Sequence, residues 1–87
     1  MNDFQKEILK STAKSYFDDN INTTSIGNTY IVFIQKDLVD NGYLEEFNDS
    51  QGNPLYGKIT LEITKNNNVI TKVKATTIET SSSNIEN

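Results

Sequence analysis

The sequence predicts an α+β fold, with an N-terminal amphipathic helix packed on a small antiparallel sheet of about three strands and a short second helix. Three observations predict it. Residues 3–19 carry apolar side chains at helical spacing, residues 55–64 alternate apolar and polar, and an Asn-rich break at residues 65–68 joins that run to a second β-prone run. At 87 residues, 34% of them hydrophobic, the chain makes one small domain with a thin core. The expected domain spans residues 1–79, followed by a disordered polar tail at 80–87 that is rich in Ser and Asn.

The helix is read from its wheel. Stepping about 100° per residue from Phe4 puts Ile8 near 40°, Tyr16 near 120°, Leu9 near 140°, Ala13 near 180° and Phe17 near 220°. Asn2 or Asp3 can cap its start, and Glu7 is spaced to pair with Lys10. The apolar arc is wider than the roughly 100° stripe that one sheet face requires. Ala13 and Phe17 therefore either sit at the edge of a small core or pack against another chain.

Residues 20–28 are polar and end in a Gly27-Asn28 turn signal. Residues 29–34 are β-branched and aromatic, as in a strand. Residues 35–41 allow two helical turns, with Gly42 at the left-handed closing position and Tyr43-Leu44 folding back on the cap. A turn-rich loop fills residues 45–54. In the following run Ile59, Leu61 and Ile63 share one face, and the returning strand is expected to place Val69, Thr71, Val73 and Ala75 together. Ile59, Leu61, Ile63, Val69 and Val73 are then the sheet side of a core facing Phe4, Ile8 and Tyr16.

Composition excludes more than it assigns. The chain has no Cys, His or Arg, which removes disulfides, thiolate nucleophiles, the commonest general base and bidentate guanidinium contacts. A net charge of −4 argues against nucleic acid or an anionic membrane as partner. The acid pairs Asp18-Asp19, Asp37 with Asp40, and Glu45-Glu46 read as solvated charge, because no apolar pocket is apparent to tune one of them. The oxygen-rich loop at 48–53 fails the EF-hand pattern, since Phe47 stands where an Asp is required. The four glycines are scattered, so no phosphate loop exists. Two sequons, at Asn22 and Asn48, read as chance matches in an Asn-rich chain. The sequence thus predicts no enzyme, no cofactor, no metal and no small-molecule substrate.

Charge layout is more informative. Residues 35–50 carry one Lys against five acids, a net −4, while residues 57–79 carry four Lys against two Glu, a net +2. Two oppositely charged faces favour head-to-tail self-association.

The run Ile34 to Leu44, with Asp37, Leu38, Val39, Gly42, Tyr43 and Leu44 at its centre, resembles the Asp-Leu-Val-x-x-Gly-Tyr-Leu segment of Gram-positive type IV pilin-like and pseudopilin-like proteins. In that family an Asp-containing loop and a Gly-x-Val-x-Val strand opening follow; here Asp49 to Gly52 and Gly57 to Leu61 stand in those places. The expected Pro after Asp49 is not there, and Pro54 lies five residues later. The resemblance implies a structural role, as a major or minor subunit of a cell-surface filament or secretion pseudopilus. It further implies that the leader and the apolar helix half lie outside this sequence and anchor the full-length parent in the membrane. Partners are then subunits of the same or a related type, with Ala13, Phe17, Asp40, Glu45, Lys72 and Lys74 as the candidate interface. The alternative is a small acidic cytosolic binding or inhibitor protein, phage- or plasmid-borne.

Overall fold

A computed structural model describes residues 1–21 and 26–87. The sequon at Asn22 lies outside the described residues. The order is helix α1 (Asp3–Asn20), strand β1 (Thr29–Phe33), a π-helix (Ile34–Val39), strand β2 (Tyr56–Asn66) and strand β3 (Val69–Ser81). The strands form one antiparallel sheet in the order β1-β2-β3. This is the predicted α+β architecture.

Helix α1 starts at a complete capping box: the Asn2 side chain accepts from Gln5 N at 2.8 Å, and the Gln5 side chain accepts from Asn2 N at 3.2 Å. Two donors that no helix can satisfy internally are thereby paired. Glu7 and Lys10 approach to 3.9 Å, as their spacing requires. The buried stripe of the helix is Leu9, Ala13, Tyr16 and Phe17. Against the expectation, Phe4 is 73% and Ile8 42% exposed. The wide apolar arc is therefore two faces: a core stripe from about 120° to 220°, and an open stripe from about 0° to 40°.

Strand β2 behaves as its alternation demands, with Ile59, Leu61 and Ile63 buried. The β2–β3 hairpin turns on Asn67 and Asn68, whose φ values of 53° and 63° suit the mirror-image turn that matches strand twist. Strand β3 departs from the prediction. Thr60 pairs with Thr77 but Leu61 with Ala75, and Thr64 pairs with Lys72 but Lys65 with Ile70. Thr76 and Thr71 are thus extra residues, and each flips the strand's phase. The residues set opposite the core side chains of β2 are Val73, Ala75 and Ile78, with Ile70 packing on the same core; Val69 is 60% exposed. The two bulges bring Ile70 and Ile78 onto the core face at the expense of Val69.

The second short helix is a single π-turn of six residues rather than two α-turns. Asp40 N donates to Gln35 O at 2.9 Å, a five-residue step. Gly42 closes it with φ of 80°, as predicted, and Tyr43 N and Leu44 N both donate to Leu38 O, at 2.7 and 3.1 Å. Leu38, fully buried, and Val32, Ile34 and Ile59 complete the core.

The polar tail is not disordered. Strand β3 runs to Ser81, and Glu86 is only 4% exposed. Its carboxylate accepts from Gln35 N at 2.9 Å, Lys36 N at 2.8 Å and Gly57 N at 2.8 Å. Composition predicts disorder because the tail has little to bury; three charge-assisted bonds to backbone amides hold it instead.

Candidate interaction surface

The residues of the 34–44 segment form one structural node. Asp37 Oδ2 accepts from Phe33 N at 2.8 Å, and its Oδ1 accepts from the Tyr16 hydroxyl at 3.3 Å. Burial pushes the Tyr16 phenol above its ordinary value near 10, and the Asp37 charge adds to that. Tyr30 is raised by the same two causes in the same order. Tyr43 donates to Asp19 Oδ2 at 2.7 Å and accepts from Asn20 Nδ2 at 3.0 Å; the bond to Asp19 is the main reason its phenol is raised. Tyr16 and Tyr43 meet edge to face at 5.3 Å. Leu44 is half-buried against the core.

Gly57 is required by close approach. A Cβ there would run into Ile34 Cδ1 and stand 2.8 Å from Glu79 O. Gln35 and Glu86 have no counterpart in the sequence reading. Gln35 Nε2 donates to Phe47 O and Leu55 O, both at 2.8 Å, tying the loop to the π-helix. Neither residue belongs to a periodic apolar pattern, so no hydropathy signal marks them.

Asp49 folds its own loop: Oδ1 accepts from Gln51 N and Asn53 N, both at 2.9 Å, while Gly52 takes φ of 85°. That arrangement is a turn. Among the described residues no group of three or more Asp or Glu gathers as metal ligands would. The open grooves on the surface of the described residues are shallow, and one of about 430 Å³ lies beside Glu62, Lys72 and Lys74.

Of the predicted interface residues, Ala13 and Phe17 are 0% and 3% exposed, inside the core of the single chain, and cannot meet a partner. Asp40, Glu45, Lys72 and Lys74 are exposed. The structure does not bring the acidic and basic members together. The π-helix packs against β1, β2 and α1, whereas Lys72 and Lys74 ride on β3, at the far edge of the sheet from β1. The open helix stripe of Phe4 and Ile8 replaces Ala13 and Phe17 as the apolar surface of α1.

No family model, curated protein or solved structure matches this chain.

Proposed function

We propose that this chain is the head domain of a pilin-like structural subunit, which works by packing against other copies at the cell surface rather than by catalysis. The observation that carries the reading is the second apolar face of α1. Phe4 and Ile8 fall at helical spacing on one side and are 73% and 42% exposed, with Met1, just ahead of the helix, 50% exposed, while the other side of the helix is anchored in the core. An apolar stripe displayed on a fixed helix supports burial by another chain. Covering a side chain such as Phe4 is worth about 1.5–3 kcal/mol. Helix-to-helix packing between subunits, concentrated by a membrane anchor upstream, would use it. An upstream helical extension exchanges the Asn2–Gln5 box for main-chain bonds, a change of about 1 kcal/mol.

The test is Phe4→Asp with Ile8→Asp in the full-length parent. Both side chains are exposed, so the melting temperature of the head should hold while incorporation into sheared surface filaments is lost. Unchanged incorporation overturns the reading. A parent product that is only a cytosolic monomer of this length also overturns it, in favour of a small acidic binding protein.

A further inference from the structure

We propose that the basic flank formed by the open edge of β3 and the adjoining side of α1 binds the acidic 40–46 surface of a second copy of this chain. The inference rests on the filament reading above and names the head-to-head contact within it. β3 is an edge strand, and its outer edge carries unpaired backbone groups. The bulges at Thr71 and Thr76 leave only residues 72–75 in regular register between them. Bulges break up an edge and turn it away from strand addition, so a partner engages this edge through side chains.

A groove of about 370 Å³ runs beside that edge, with Lys10 and Lys14 of α1 on one side and residues 72–75 of β3 on the other. Val73 and Ala75 face the helix, and alternation turns Lys72 and Lys74 toward the opposite sheet face. A carboxylate brought to the edge therefore meets ammonium groups from both sides of the sheet. Lys10 pairs with Glu7, but Lys14, Lys72 and Lys74 have no carboxylate within 4 Å among the described residues. Lys74 stands opposite Glu62 across the ladder without forming an ion pair.

The matching surface is on the same chain but out of reach. Of the five acids between 35 and 50, Asp37 and Asp49 are bound to backbone amides. Asp40, Glu45 and Glu46 are exposed, and their carboxylates have no internal partner among the described residues. The acidic surface lies with the π-helix, which packs against β1, β2 and α1. One chain does not join its two flanks, so the contact is made between copies, and a head-to-tail contact of this kind runs on as a filament when its rotation does not close.

Two experiments test this on the intact chain, which has no natural Cys. Mixing a Glu45→Cys chain with a Lys74→Cys chain should give the mixed disulfide faster than either homodimer. Self-association measured by sedimentation should be roughly tenfold or more weaker at 0.15 M than at 0.01 M salt, where the Debye length is about 30 Å rather than 8 Å. Lys72→Glu with Lys74→Glu should abolish it, and adding Asp40→Lys and Glu45→Lys to the same chain should restore it. Equal rates for homodimers and mixed dimer overturn the proposal. Loss without restoration also overturns it and assigns the basic flank to a different anion. Filaments that depend on Phe4 and Ile8 but ignore the charge swap sink this contact and leave the filament reading standing. Mixed disulfides from a parent that never forms filaments do the reverse.

Discussion

Replacing Glu86 with Ala should destabilise the protein by about 3 kcal/mol, although the residue is next to last in a polar tail. The magnitude follows from what is left behind. The carboxylate accepts three backbone N–H groups, at 2.8–2.9 Å. A hydrogen bond to a charged group contributes about 1.5–3 kcal/mol, and an orphaned buried donor costs about 1–3 kcal/mol. The Gly57 amide is buried and bears the full cost; those of Gln35 and Lys36 are partly buried and regain water. Against this, seating the carboxylate costs desolvation that the variant escapes, which lowers the sum of three bonds to about 2–4 kcal/mol. A chain of this length has a total stability of roughly 4–13 kcal/mol, so the loss is a large fraction of it. The melting temperature should fall by roughly 15 °C. Glu86→Gln should be nearly as costly, because its amide turns a donor toward donors. Urea denaturation followed by circular dichroism reads the free energy, and hydrogen exchange at the Gly57 amide reads the site. Exposed Glu79→Ala is the control, expected within about 0.5 kcal/mol of the parent. A Glu86→Ala chain as stable as that control, with Gly57 still protected, would refute the reasoning.

Gly42→Ala should cost about 1 kcal/mol from its left-handed backbone alone, since open space surrounds its Cβ position. Gly57→Ala should cost more, about 1–3 kcal/mol or above, because the new methyl meets the β3 backbone at Glu79 O; equal losses in denaturant titrations would contradict this. Leu61→Ala should cost about 2–5 kcal/mol and Val69→Ala under about 0.5 kcal/mol, so a costly Val69→Ala would restore the strict-alternation register. The phenols of Tyr16, Tyr30 and Tyr43 are held above their ordinary value near 10 in the fold. The unfolded chain loses those protons first, so their contribution is whole below about pH 10 and is lost as pH climbs through the folded values. Denaturation at about pH 9 and about pH 11, with tyrosinate absorbance, checks the sign; greater stability at the higher pH would reverse it.

The elements legible in the sequence are those whose signal is local. Alternation in β2 is carried by Ile59, Leu61 and Ile63 themselves, and the caps at Asn2 and Gly42 are set by residues within one turn of each. What was not legible depends on a partner far along the chain. The phase of β3 is decided at two bulges, which the β3 sequence alone does not announce, because Thr71 and Thr76 suit a regular strand equally well. The two faces of α1 look like one broad arc until the sheet chooses the Leu9, Ala13, Tyr16 and Phe17 side. That choice moved the candidate apolar interface from Ala13 and Phe17 to Phe4 and Ile8. The charged half of the proposed surface was legible as composition, but not its division between opposite flanks of the sheet. Glu86 escaped notice because its ligands are main-chain amides, which every sequence has.

The π-helix explains why so small a core can display a defined surface. A six-residue turn cannot stabilise itself, and its first amides need outside acceptors. Asp37 takes Phe33 N from within, and Glu86 takes Gln35 N and Lys36 N from the far end of the chain. Gln35 then reaches the other way, to the carbonyls of Phe47 and Leu55 on either side of the 48–54 loop. Beneath it, Ile34 and Leu38 are fully buried, and Gly57 lets β2 come close enough to share the Glu86 carboxylate. Four separate stretches of chain converge on this turn through polar contacts, where apolar area is scarce. Asp40 and Glu45 leave the same turn and its cap. Their carboxylates are thus presented from a tied frame, and a charged surface held in place loses less entropy on meeting a partner than one on a free loop.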